Sequence, residues 1–166
     1  MVETSVARRS TATMAAESTL PESELFLDTS LIIAATVDVH PAHQVAASYI
    51  DKAVGGGLEL CISPQVCREF LVVLTRQPVS ERVFGLDEAL SALRVWTTAC
   101  RVLEENAGVL EQLLSLVQDH QVRGKQVHDC NIVATMLTNG VRRLATRNAS
   151  DFRRYAGVIQ VDDVCD

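Results

Sequence analysis

The sequence predicts an α/β protein, a three-layer α/β/α sandwich around a mainly parallel central sheet. Three observations lead there. Short apolar runs of strand length alternate with longer segments whose apolar residues recur at helical spacing, the pattern of successive βαβ units. Aromatics make up only 4% of a chain that is 48% hydrophobic, so the core must rest on Leu, Val, Ile and Ala. That aliphatic bias suits helices laid on a parallel sheet. The 166 residues fit one domain with room for a full core.

Residues 1–22 are rich in Ser, Thr, Ala and Glu without sustained periodicity. They read as a disordered extension, or as an over-long start with Met14 as another initiator, and the folded domain is expected over 23–166. Leu25, Phe26 and Leu27 form a short apolar strand that ends at Asp28. Residues 29–36 begin a helix, and a second helix covers about 43–54. The triplet Gly55-Gly56-Gly57 stops it, and 58–62 supply the second strand. Ser63 and Pro64 then open a helix, Ser as N-cap and Pro at the first helical position, which runs to about residue 76. Two more helices are expected at about 86–98 and 106–120, with a short strand at 101–103 between them. A final helix covers about 128–139 and is closed by Gly140 at the C′ position. The last strands fall at 142–145 and 158–161, and no internal repeat is present.

Several classes are excluded by what is missing. The longest candidate apolar stretch, residues 31–37, falls far short of the roughly 20 residues a membrane helix needs. Arg8 and Arg9 are followed by no apolar h-region, which argues against a secretory signal. The five cysteines are odd in number and include no C-x-x-C pair, so neither a disulfide framework nor a structural zinc site is indicated. They read as reduced thiols of a cytoplasmic protein. A net charge of −6 is not that of a generic nucleic-acid binder. The distribution is uneven, however. Residues 121–155 hold seven cations (Arg123, Lys125, Arg142, Arg143, Arg147, Arg153, Arg154) against Asp129 and Asp151, a local balance of +5. A basic segment holding two isolated acids is consistent with phosphate handling and equally with a solvated basic face.

The acids carry the chemistry. Asp28 ends a strand, where open parallel sheets bind ligands, although it stands equally where a helix cap would. Glu69 lies on the face of its helix defined by Val66, Phe70 and Val73. An unpaired carboxylate there costs several kcal/mol, so it needs an arginine such as Arg68 or Arg76, a cation, or the open end of the sheet. Asp129 begins the stripe continued by Ile132, Val133, Met136 and Leu137, while its first-turn position also favours the helix dipole. Asn148 follows a strand that runs through Leu144 and Ala145 to Thr146. Four oxygen-bearing side chains thus converge on one end of one sheet. Hard divalent cations such as Mg²⁺ or Mn²⁺ want such ligands. No Ser/His/Asp or Cys/His set competes.

With these residues in view, the chain resembles the PIN-domain family. The segments LFLDTSLIIAA, SPQVCREFLVVL, GKQVHDCNIVATML and LATRNASDFRRY are similar to its successive motifs, and within it to the VapC-type toxins of toxin–antitoxin pairs. The resemblance spans about residues 24–161, and it is the four motifs together that are specific. It implies a Rossmann-like sandwich bearing a Mg²⁺- or Mn²⁺-dependent endoribonuclease site. Asp28, Glu69 and Asp129 match the family's three principal acids, and Asn148 the fourth site, where it would be a neutral ligand. Ser30 and Thr146 would support the site from the outer shell, and Asp151 would contribute there or hold the SDF turn. Arg147 and Lys125 would meet substrate phosphates. The resemblance also implies an RNA substrate, a homodimer and a small cognate antitoxin.

Two other classes stay open at this stage. One is a regulator that binds RNA or protein on the same fold without catalysis. The other is a phosphohydrolase of the haloacid dehalogenase kind, which also starts from an Asp ending the first strand. That chemistry usually wants a second Asp two residues later, where this chain has Ser30. His128 reads as a solvent-edge residue, His40 and His43 as local structure around the second helix, and Trp96 as a packing residue between helices.

Overall fold

A computed structural model describes residues 23–76 and 78–165. The expected N-terminal extension, 1–22, lies outside the described residues. Five strands form one sheet in the order β3-β2-β1-β4-β5, all parallel: β1 (Glu24–Leu27), β2 (Glu59–Ile62), β3 (Arg101–Val102), β4 (Arg143–Thr146) and β5 (Gln160–Asp163). Seven helices connect them: α1 (Thr29–Thr36), α2 (His43–Gly55), α3 (Pro64–Arg76), α4 (Leu86–Ala99), α5 (Ala107–Asp119), α6 (Gln126–Thr138) and α7 (Ala149–Phe152). The expected sandwich is therefore present.

Topology follows from handedness. The chain steps from β1 to β2 to β3 in one direction along the sheet, then crosses back to β4 and β5 on the other side of β1. Right-handed crossovers accordingly put α1–α4 on one face and α5–α7 on the other. In agreement, α1 packs with α2 and α3, and α3 with α4, while α6 packs with α5 and α7. The reversal of order occurs between β1 and β4, and the crevice at the carboxyl ends of those two strands is where such sheets bind ligands. The main-chain N–H of Asp28 bonds to Ala145 O at 3.0 Å, so the ends of these two strands are locked together.

The core is aliphatic as expected. Leu25, Phe26 and Leu27 of β1 are fully buried, as are Leu144 and Ala145 of β4 and Leu31 and Ile32 of α1. Ser63 and Pro64 open α3 as read, with the Val66 N–H donating to Ser63 Oγ at 3.3 Å. Gly140 ends α6 in the left-handed region, φ +79°, where a Cβ would be strained.

Three details differ from the sequence reading. The helix expected at 128–139, α6, begins two residues earlier, at Gln126. The last strand is Gln160–Asp163 rather than 158–161, because Val158 and Ile159 turn back onto Tyr155 O before pairing with β4 begins. Between them lies α7, continued by a 3-10 turn at Arg153–Tyr155, a segment too short to show helical periodicity. Trp96 does bridge helices, donating from its indole N–H to Thr36 Oγ1 at 2.8 Å.

Candidate functional site

The site grows from the end of β1. Asp28 is only 6% exposed, and its side chain makes no capping bond to α1. Instead Oδ2 accepts hydrogen bonds from Ser30 Oγ at 2.5 Å and Thr146 Oγ1 at 2.7 Å. The capping reading of this residue is thereby corrected. Burial raises the carboxyl's pKa above its ordinary value, the two hydroxyls work against that rise, and the charge of Glu69 adds to it.

Glu69 enters from α3, half-buried on the helix face shared with Val66 and Phe70. Neither Arg68 nor Arg76 neutralises it; Arg68 pairs with Glu105 at 3.1 Å. Both its oxygens are held by neutral donors. Thr29 Oγ1 donates to Oε2 at 2.8 Å, and Gln65 Nε2 donates to Oε1 at 2.7 Å. Thr29 directly follows Asp28, so one short segment touches both acids.

Asp129 stands half-buried in the first turn of α6, as the sequence placed it. Its pKa is pushed up to about 6, first by burial and then by the charges of Asp151, Asp28 and Glu69, which His128 opposes. The end of β1, α3 and α6 thus bring Asp28, Glu69 and Asp129 within reach of one another's charge. Among the described residues no ion pair reaches any of the three; the arginines in ion pairs bind Glu24, Asp38, Glu59, Glu88, Glu105 and Asp162. Among the described residues the three acids thus stand at this end of the sheet outside any ion pair.

The fourth position is looser. Asn148 is exposed at the start of α7, and its main-chain N–H donates to Thr146 Oγ1 at 3.0 Å. Thr146 thus ties Asn148 to Asp28. Ser30 receives the main-chain N–H of Arg147 at 3.2 Å, while the Arg147 guanidinium donates to Val164 O at 3.1 Å. Lys125 is exposed at the start of α6, and Asp151 is exposed on α7. His128 is exposed as expected, while His40 and His43 bond to Ala42 N and Ala34 O near the start of α2.

Three side chains at the site escaped the sequence reading: Thr29, Gln65 and Asn131. Gln65 stands one helical turn before Glu69, which is a weak signal. Nothing in the sequence links Asn131 to it, because their contact spans α3 and α6.

Whether these groups suit a divalent ion is a question of donor chemistry. All are oxygen donors, the kind Mg²⁺ and Mn²⁺ take. Among the described residues, no three His, Cys, Asp or Glu side chains are grouped closely enough to hold a metal ion as they stand. Mg²⁺ keeps several of its waters and is commonly held by one or two carboxylates, so a closed protein cage is not required. One buried and two half-buried acids, with the charges of Asp28 and Glu69 acting on Asp129, fit such an ion in donor chemistry.

No curated protein sequence matches the chain. Solved structures do. VapBC2 from Rickettsia felis, bound to a DNA fragment from its promoter, superposes with a TM-score of 0.65 at 14% identity, covering 84% of this chain and 98% of that one. VapBC-1 from nontypeable Haemophilus influenzae gives 0.62 at 17%, covering 85% and 98%. VapC20 of Mycobacterium tuberculosis, described as a sarcin-ricin loop cleaving toxin, gives 0.61 at 21%, covering 82% and 98%. These likenesses concern the fold. The PIN domain family model matches residues 25–158, from the strand that presents Asp28 to the turn beyond α7, and the chain belongs to the PIN-domain family.

Proposed function

We propose that this protein is a divalent-metal-dependent endoribonuclease and the toxin of a VapBC-type toxin–antitoxin pair. One observation carries the reading. Asp28 ends β1 beside β4 at the topological switch point, the charges of Asp28 and Glu69 act on Asp129, and no arginine or lysine among the described residues is ion-paired with any of the three. A structural role commonly leaves such acids ion-paired, since burying a carboxylate such as Asp28 without a cation is costly.

Asp28, Glu69 and Asp129 would hold Mg²⁺ or Mn²⁺, with Asn148 as a neutral fourth ligand. When bound, the ion would activate water and stabilise charge on a scissile phosphodiester. The chain's own residues orient the ligands. Ser30 and Thr146 fix one oxygen of Asp28, and Thr29 fixes one oxygen of Glu69. Asp151 adds negative potential beside Asp129 from the outer shell. Lys125, one turn ahead of Asp129, and Arg147, beside Ser30, are the proposed phosphate contacts. Ser30 also weakens the haloacid-dehalogenase reading, since a hydroxyl that donates to Asp28 cannot serve as the second carboxylic acid.

RNA is the proposed substrate, a homodimer the proposed assembly, and a small antitoxin the proposed inhibitor. Acids outside any ion pair accept an inserted arginine, whose guanidinium satisfies carboxylates bidentately. Among the described residues no helix is long and apolar enough to cross a membrane, and the proposed place of action is the cytoplasm. The test is direct. Purified protein should cut RNA with Mg²⁺ or Mn²⁺, stop in EDTA, and fail as Asp129→Asn. Equal cleavage by wild type and Asp129→Asn would end the proposal.

A further inference from the structure

We infer that Gln65 is a positioning residue of this site: it orients the Glu69 carboxylate and ties it to the helix that carries Asp129. The inference rests on the metal-dependent nuclease reading above and adds to it a residue which that reading does not use.

Gln65 is 5% exposed, unusual for a glutamine, and its amide is engaged on both sides. Nε2 donates to Glu69 Oε1 at 2.7 Å and to the main-chain carbonyl of His128 at 3.0 Å. Oε1 accepts from Asn131 Nδ2 at 2.7 Å. The arrangement has one chemically consistent orientation. A carboxylate and a carbonyl only accept, so the amino group must face them, and the oxygen is left for a donor. Asn131 supplies that donor and thereby prevents the amide from flipping. His128 immediately precedes Asp129, and Asn131 follows it by two residues. One side chain of α3 therefore reads the position of α6 on both sides of Asp129.

The backbone of Gln65 is fixed as well. Its N–H donates to Glu105 Oε1 at 3.1 Å, while Glu105 Oε2 holds Arg68 at 3.1 Å. This satisfies one of the orphan N–H groups in the first turn of α3. Glu69 is thus held through Gln65 by three elements: its own helix, α6, and the segment after β3. Thr29 holds its other oxygen. Without Gln65 the carboxylate keeps one anchor and can rotate about its terminal torsion, a soft, broad minimum. Removing such outer partners of metal ligands typically lowers metal affinity or activity by about 10–100-fold.

The test compares wild type with Gln65→Met, which keeps the volume but removes both amide groups, and with Asn131→Leu. Mn²⁺ binding is measured by calorimetry, and RNA cleavage as separate kcat and KM. Gln65→Met should bind Mn²⁺ about tenfold more weakly and lose about 10–100-fold in kcat, with KM for RNA within about twofold of wild type. Asn131→Leu should give a smaller loss of the same kind. That loss should vanish in the Gln65→Met background, because Asn131 acts only through the amide. Should Gln65→Met fail to fold, Gln65→Asn withdraws the same amide by one methylene and takes its place in the cycle. Wild type that binds Mn²⁺ and cuts RNA, beside a folded Gln65 variant matching it in both, overturns the inference alone. So do additive losses in the double variant. Wild type that neither binds Mn²⁺ nor cuts RNA overturns the nuclease reading, and the inference with it.

Discussion

Asp129 has an ordinary carboxyl pKa of 3.8 when the chain is unfolded and about 6 when folded. Below the lower value it is protonated in both states and contributes nothing. Between the two, the folded chain holds a proton that the unfolded chain has already released, so stability falls as pH rises through this window. Above about 6 the native state carries the whole burden of a half-buried charge among like charges. Asp28 acts in the same direction, its pKa also being raised by burial. In EDTA, Asp129→Asn should therefore raise the melting temperature more at pH 7 than at pH 5, and a gain equal at both values would refute the assigned cause. Mn²⁺ should raise the wild-type melting temperature at pH 7 and do so much less for Asp129→Asn, since only the folded state presents the site. How legible such residues were depended on what each contacts. Glu69 announced itself, because a carboxylate on an apolar helix face demands explanation from one element alone. Asp28 was visible but ambiguous, and in the structure its side chain turns to the hydroxyls of Ser30 and Thr146 and makes no capping bond. Gln65 and Asn131 were invisible, because their meaning lies in a bond between helices distant in sequence.

At the scale of elements, α3 presents both Glu69 and Gln65, so whatever fixes its first turn also fixes the site. Ser63 is fully buried, and its Oγ accepts from the Val66 N–H. Ser63→Ala should cost about 1 kcal/mol in urea unfolding, the usual worth of an N-cap. Because the loosened turn holds Gln65, the variant should also lower RNA-cleaving activity; full activity with the stability loss would detach the cap from the site. Gly140→Ala probes a different stop. A Cβ at Gly140 meets nothing within 4 Å, so its cost is that of φ +79° alone, about 1 kcal/mol in the same assay and without loss of kcat. Helix limits were readable where caps are chemical: Ser63-Pro64 and Gly140 each mark a boundary the structure keeps. The last strand was misplaced because the apolar Val158 and Ile159 resemble a strand, whereas β5 is an edge strand with the polar residues Gln160, Asp162 and Asp163. Its position follows from pairing with β4, which no local pattern encodes.

For the whole molecule the question is where the charge lies. The seven cations of residues 121–155 look like one basic surface when counted along the chain, but the fold divides them. Arg142 and Arg143 stand at the amino end of β4, away from the strand ends that carry Asp28 and Asn148, and Arg143 is ion-paired with Asp162 at 2.8 Å. Lys125, by contrast, begins the helix that presents Asp129 and is exposed. Counting charges along a sequence cannot distinguish these positions, because strand direction decides which end each residue occupies. The distinction has a measurable consequence. Each phosphate contact made by a cation releases counterions, and for single strands the slope of log K against log salt is about −0.7 per contact. In the cleavage-deficient Asp129→Asn background, binding of a short single-stranded RNA should be followed by fluorescence anisotropy over a range of salt. Adding Lys125→Ala should make the slope shallower by about 0.7 and weaken binding most at low salt. Adding Arg142→Ala should leave the slope unchanged. Equal effects from the two substitutions would mean that RNA responds to the protein's overall charge and follows no path across the carboxyl edge of the sheet.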